Sequence, residues 1–305
     1  MKQVLPRFAR LPGTVTATLR RAPGGPTLHR WQLGQLLAEG RWTRVLEARP
    51  LEGDERLPPA YALKTLREDV PAVSIAIAGL RRHAQAGARL SCPHLAPVLV
   101  AHLHTPPHYL LMPLLEGASL RRHLAARGPA FGLAETLWIV RQIALGLQNL
   151  HEAGWLHGDL KPENIFLSPA GHATLLDFGL ARQRNTPECV STGRWTGTLA
   201  YAAPETILPD QPLTPAMDIY GLGVVLYELL TGQLPFAHAN PEDMAAAHLT
   251  ALAPDIVPLR SEISPRLARL VRKMLSKEAL RRPTTDELLP WLTELEIEHF
   301  AARSA

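Results

Sequence analysis

Two cysteines, Cys92 and Cys189, are the only thiols in this 305-residue chain. That is too few for a disulfide framework, and it points to a reducing compartment, so a cytoplasmic setting is expected. No run approaches the roughly 18 apolar residues of a membrane span. The longest apolar stretch, DIYGLGVVLYELL at 218–230, reads as a buried helix. Acids are missing from two long stretches. Met1 to Ala38 carries six Lys or Arg and no acid, and no acid occurs between Asp69 and Glu116. The first stretch also lacks the apolar core of a secretory signal and reads as a flexible basic extension over 1–29. A net charge of +4 is too small to single out nucleic acid as a partner.

What remains is ordinary for a globular protein, with 46% apolar and 20% charged residues. The length suits one large domain or two lobes sharing a cleft. From Trp31, short runs such as WQLGQLLAEG, RWTRVLEARP and YALKTL are separated by turn residues, as in an antiparallel sheet. A helix is expected over 71–90 and a buried strand over 108–115. The texture then turns helical, most clearly at 135–154, 218–230, 264–275 and 284–300. NIFL and ATLLDF, joined by SPAGH, read as a hairpin. The expected class is α+β, with a strand-rich part at about 30–112, a link at 113–117 and a larger helical part at about 118–300.

The stretch HGDLKPEN at 157–164 packs an acid, a cation and an amide together: Asp159, Lys161 and Asn164. Asp177 follows Asn164 by thirteen residues across the expected hairpin, which would return it to Asn164's side. An amide and a carboxylate oxygen together suit a hard cation such as Mg²⁺. Asp159 is then free to act on a hydroxyl, and Lys161 to offset charge on a transferring phosphoryl group. His102, His104 and His108 lack a fourth ligand at metal spacing and read as a surface loop.

HGDLKPEN, DFG at 177–179 and GTLAYAAPE at 197–205 resemble the eukaryotic-type (Hanks-type) serine/threonine protein kinases. Four further landmarks fall in order: AEGRWTRV at 38–45, YALK at 61–64, DIYGLG at 218–223 and RRPT at 281–284. The resemblance covers roughly 31–295 and implies a two-lobed fold with ATP and Mg²⁺ between the lobes. By it, Asp159 accepts the proton of a protein Ser or Thr hydroxyl, Asn164 and Asp177 hold Mg²⁺, and Lys64 contacts the phosphates. Ala38, Glu39, Gly40, Val45, Ala62, Met112, Leu114 and Leu115 would surround the nucleotide, with Met112 at the back of the adenine pocket. Glu205 would pair with Arg282, Asp218 would brace the catalytic loop, and His157 would pack beneath Phe178. Thr186, Ser191, Thr192 and Thr196 are candidate autophosphorylation positions.

The chain departs from that pattern at three places. Gly158 stands where many members carry an arginine that grips a phosphorylated activation segment, so a different switch, or none, is expected. The phosphate loop keeps only Gly40 where the family has three glycines, with Ala38 and Thr43 stiffening it. The helix glutamate that pairs with the strand lysine is absent: its position falls on His83, within the basic run Arg81, Arg82, His83, expected as a solvated face. Lys64 is thus expected to lack its usual partner, and a partner protein supplying an acid near His83 is one remedy. The alternative function is a pseudokinase acting as a nucleotide-binding scaffold. A small-molecule phosphotransferase shares the Asp and Asn, but not the APE at 203–205 or DIYGLG.

Overall fold

The computed structural model describes residues 26–52, 58–88, 90–127, 131–193, 197–260 and 262–304. Most of the basic extension and Thr196 lie outside the described residues. The first part is an antiparallel sheet of six strands: β1 (Thr27–Leu28), β2 (Trp31–Glu39), β3 (Thr43–Pro50), β4 (Tyr61–Leu66), β5 (Val100–His102) and β6 (Tyr109–Pro113). Its spatial order is β1-β2-β3-β4-β6-β5, and β1 falls inside the stretch read from sequence as extension. Strand alternation divides the side chains between two faces. Leu63, Tyr109 and Leu111 pack with Trp31, Leu33, Leu46 and Ala48 on one face. Leu110 packs with Leu80 on the other. Lys64 is the register partner of Leu110, so it projects toward the face that Leu80's helix covers.

That helix is α1 (Val73–Gly87), whose buried residues Ala76, Leu80, His83 and Gly87 recur at three- and four-residue spacing. His83 is 1% exposed. The basic run is therefore not a solvated face: Arg81 is exposed, Arg82 is half-buried and His83 lies in the interior. Leu80, packed beneath the sheet, fixes the phase of the helix and turns His83 inward.

The second part contains β7 (Ala118–Ser119), α2 (Leu120–Arg127), α3 (Leu133–Glu152), β8 (Trp155–Leu156), β9 (Ile165–Leu167), β10 (Ala173–Leu175), β11 (Arg182–Gln183), β12 (Val190–Thr192), α4 (Pro204–Ile207), β13 (Pro209–Pro212), α5 (Ala216–Thr231), α6 (Pro241–Thr250), α7 (Pro265–Met274) and α8 (Thr285–Ser304). From Met217 to Leu230 every residue of α5 is buried, as its apolar composition demands. Helix α7 starts at Ser264, whose side chain accepts from the Leu267 N–H at 3.2 Å, and ends on Arg272 and Lys273, which suit the helix dipole. Helix α8 opens on a capping box. The Thr284 N–H donates to Glu287 at 2.9 Å, and the Glu287 N–H donates to the Thr284 hydroxyl at 3.3 Å. Among the described residues, no helix is long and apolar enough to cross a membrane. The small helices α2, α4 and α6, which the sequence reading missed, carry weak apolar periodicity or are only a turn long.

Candidate active site

Strands β8 and β11 pair at the mouth of residues 157–164, and the β9–β10 hairpin closes behind them. From below, Asp218 fixes the start of this loop. Its carboxylate accepts the backbone N–H of His157 at 2.9 Å and of Gly158 at 3.0 Å, and meets His151 Nε2 at 2.8 Å. Burial pushes the Asp218 carboxyl up, but the His151 hydrogen bond and the surrounding donors outweigh it and hold the carboxyl below its ordinary value. His157 is fully buried. Its Nδ1 accepts the Asp159 N–H at 3.2 Å, so Nε2 carries the proton that it donates to the Leu176 carbonyl at 3.0 Å. Its ring meets Phe178 edge-on with centroids 5.6 Å apart.

Gly158 has a backbone reason to be glycine. Its φ is +81°, and a Cβ built there would lie 2.5 Å from the Leu180 carbonyl oxygen. An arginine cannot occupy this position without moving the chain on one side or the other.

The loop then gathers the residues that the sequence singles out. Lys161 Nζ lies 2.6 Å from Asp159 Oδ2 and donates to the Thr198 hydroxyl at 2.7 Å. The Thr198 N–H donates to Asp159 Oδ1 at 3.3 Å. Asn164 spends its amide nitrogen on the Asp159 carbonyl at 2.8 Å and on Oδ2 at 3.2 Å, which leaves its Oδ1 for a cation. The hairpin does return the chain, since the Leu176 N–H donates to the Asn164 carbonyl at 2.7 Å, one residue before Asp177.

Asp177 sits at φ +61°, an uncommon conformation for a residue with a side chain. Its Oδ1 accepts the Gly179 N–H at 3.0 Å, which offsets part of that strain. Lys64 Nζ reaches the same oxygen at 2.5 Å, so the lysine, which lacks a helix acid as the sequence suggested, is paired within the turn instead. Glu68 and Asp69, four and five residues past Lys64, turn away from it to Arg44 at 2.9 Å and Arg67 at 2.7 Å. Burial works to raise the Asp177 carboxyl, but the Lys64 ammonium and His83 more than reverse this, and it titrates well below its ordinary value. Burial also lowers His83, whose Nδ1 stands 3.5 Å from Asp177 Oδ1.

The residues expected around a nucleotide lie on β2, β3, β4 and β6 and in the link that follows. Ala38 faces Val45 and Glu39 faces Arg44 across the β2–β3 hairpin, whose turn closes through the Gly40 N–H to the Thr43 carbonyl at 2.8 Å. Arg67 holds that turn by pairing with Glu39 at 3.0 Å. Ala62 faces Met112 in the sheet, and the Leu114 N–H donates to the Ala60 carbonyl at 3.0 Å, with Leu115 following at the edge of the link.

Beneath the site, Arg282 makes a bidentate pair with Glu205 at 2.6 and 2.8 Å, and its side chain is fully buried. A second network joins residues far apart in the sequence. Arg121 of α2 reaches Glu163 and Glu228 at 2.8 and 2.7 Å and donates to the Tyr201 hydroxyl, which in turn donates to Glu228 at 2.6 Å. It ties the 157–164 loop to α5 and the 197–205 segment. The motif spacing gave no hint of it, because the partners come from four separate elements. Of the candidate phosphorylation positions, Thr192 is exposed, Thr186 is half-buried and Ser191 is buried with its hydroxyl donating to the Thr206 carbonyl at 3.0 Å. The histidines at 102–108 form no metal cluster among the described residues.

A family model described as the protein kinase domain matches residues 31–292. A probable serine/threonine-protein kinase, pknA2, of Bifidobacterium longum is 33% identical over 258 residues, which is 84% of this chain and 33% of that protein. The serine/threonine-protein kinase PknD of Mycobacterium tuberculosis is 35% identical over 83% of this chain and 37% of its own length. The probable serine/threonine-protein kinase PknB of Lactococcus lactis is 30% identical over 74% of this chain and 36% of its own. The chain therefore spans about a third of the length of these relatives.

Proposed function

Because the chain belongs to the protein kinase domain family, we propose that it transfers the γ-phosphoryl group of ATP to a serine or threonine hydroxyl of a protein. The domain that does this occupies about residues 30–300. The observation that carries the reading is the set Asp159, Lys161, Asn164 and Thr198, joined by hydrogen bonds around one carboxylate. Asp159 orients the incoming hydroxyl and takes its proton as the oxygen bonds to the γ-phosphorus and the bond to the β-phosphate oxygen breaks, releasing ADP. Lys161, held between Asp159 and Thr198, faces the negative charge of the moving group. Lys64 contacts the other phosphates. Asn164 and Asp177 offer amide and carboxylate oxygens, a donor set that fits Mg²⁺. Bound there, Mg²⁺ would neutralise charge on the phosphate oxygens.

The positive φ at Gly158 supports a catalytic loop of the kind without the arginine, in which segment phosphorylation is not the switch. A cytoplasmic setting fits the free Cys92 and Cys189. An activating partner at α1 would meet Val73, Ile75 and Arg81, which are exposed, rather than the buried His83.

The test is transfer of labelled phosphate from Mg²⁺–ATP to the chain and to a basic protein substrate, with Asp159→Asn and Lys64→Met beside the wild type. Phosphoserine or phosphothreonine formed by the wild type and lost in both variants supports a kinase. Nucleotide binding without transfer in any of the three supports the scaffold, and turnover of a small alcohol alone supports a small-molecule phosphotransferase.

A further inference from the structure

Helix α1 contains no carboxylate, yet one face of it touches each residue of the turn 177–179. Gly79, Arg82 and His83 share that face, at three- and four-residue spacing. A Cβ on Gly79 would stand 3.5 Å from the Gly179 carbonyl oxygen, so the helix backbone runs close against the turn. One turn further on, Arg82 Nε donates to that same carbonyl at 3.0 Å. His83 sets its Nδ1 3.5 Å from Asp177 Oδ1 and its ring edge-on to Phe178, with centroids 5.4 Å apart. Among the described residues neither ring nitrogen of His83 completes a hydrogen bond, so a small approach of Asp177 would close one.

The charge pattern follows from this. A helix carboxylate would compete with Asp177 for Lys64. Here the helix brings a guanidinium and an imidazole instead, and Lys64 turns to Asp177 itself at 2.5 Å. Phosphate binding draws the Lys64 ammonium toward the nucleotide and divides its charge between the phosphates and Asp177, which weakens that pair. Asp177 then loses part of its restraint when it is needed, unless something else holds the turn.

We propose that Arg82 and His83 are positioning residues that hold the 177–179 turn in place of a helix acid. They keep Asp177 aimed at the cation while Lys64 divides its charge between Asp177 and the nucleotide phosphates. This rests on the reading of Asp177 as a Mg²⁺ ligand.

The experiment is ADP binding by calorimetry on the full chain, in Mg²⁺ and in excess chelator, for the wild type, Arg82→Ala, His83→Ala, Arg82→Lys and His83→Gln. Arg82→Ala is expected to weaken binding in Mg²⁺ by about tenfold or more, the scale of a lost hydrogen bond from a charged group, and His83→Ala, which removes a near contact rather than a completed bond, by a smaller factor. Binding in chelator should stay within about twofold, because the adenine contacts are untouched. The conservative variants keep a donor in reach of the same oxygens and should recover most of the loss. Alanine variants that bind as tightly as the wild type in Mg²⁺ would overturn the proposal. So would losses of equal size with and without the metal in all four variants, since that is the mark of general destabilisation. A wild type whose ADP binding ignores Mg²⁺ would instead remove the reading of Asp177 on which the proposal stands.

Discussion

Replacing Gly158 with arginine, which would restore the residue that many kinases carry there, is expected to damage this protein. The residue sits at φ +81°, where a side chain costs about 1–2 kcal/mol. Its Cβ would also meet the Leu180 carbonyl oxygen at 2.5 Å, and relieving an overpacked contact of this kind costs about 1–3 kcal/mol. The oxygen belongs to the backbone just after the 177–179 turn, so it cannot swing aside as a flexible side chain would. Together the two terms amount to about 2–5 kcal/mol, a large share of the 5–15 kcal/mol roughly typical of a domain. The kinetic cost is separate. The Gly158 N–H donates to Asp218 Oδ1 at 3.0 Å and directly precedes Asp159, so any shift of the loop moves the Asp159 carboxylate. A displacement of about 1 Å can cost on the order of a hundredfold in rate. Urea unfolding and steady-state kinetics on Gly158→Ala and Gly158→Arg measure both effects, and alanine should carry most of the stability loss because the Cβ is the offending atom. If the arginine variant unfolds within about 0.5 kcal/mol of the wild type and turns over at a similar rate, the backbone argument is wrong.

Glu205→Gln leaves the Arg282 guanidinium buried without its counter-charge and should destabilise the chain by about 3–5 kcal/mol in urea unfolding, against a fraction of that for an exposed pair such as Arg281–Glu278. Arg121→Met strips Glu228 of its cation. Because Arg121 is partly exposed, a smaller loss of about 1–2 kcal/mol is expected, with Tyr201→Phe adding less than its separate effect when the two are combined. Stability should fall in acid on account of His248, whose imidazole is pushed down to about 4 by burial and by Lys277. It stays neutral in the folded chain but takes a proton near its ordinary value of about 6.5 when unfolded. Its contribution is thus complete above about pH 6.5 and is lost as the pH drops toward about 4, by at most about 3 kcal/mol. Urea midpoints from pH 8 to pH 4.5 should show a decline that His248→Gln flattens.

The sheet, the long helices and the 157–164 loop were legible because each rests on local signals: turn-bounded strands, apolar spacing and motifs whose members lie within a few residues. Asp159, Lys161 and Asn164 meet as their spacing suggests, and the hairpin carries Asp177 back toward Asn164. What sequence could not give was the partner of Lys64. Counting to His83 found the position but not its consequence, because an ion pair between residues 64 and 177 depends on how a strand, a helix and a turn pack. The burial of His83 was within reach, since it lies three residues after Leu80 on a helix that must cover a sheet. Arg121, Glu163, Tyr201 and Glu228 converge from distant segments, and no spacing rule connects them.

The central claim is that Asp159 acts in the chemistry and not in holding the nucleotide. Measuring Mg²⁺–ATP affinity and phosphoryl transfer side by side for the wild type and Asp159→Asn tests it most directly. Affinity should stay within about threefold while transfer falls by about 10²–10⁴, the usual contribution of a positioned general base. Transfer that survives in the variant, or that is absent from a wild type binding ATP tightly, would contradict the account.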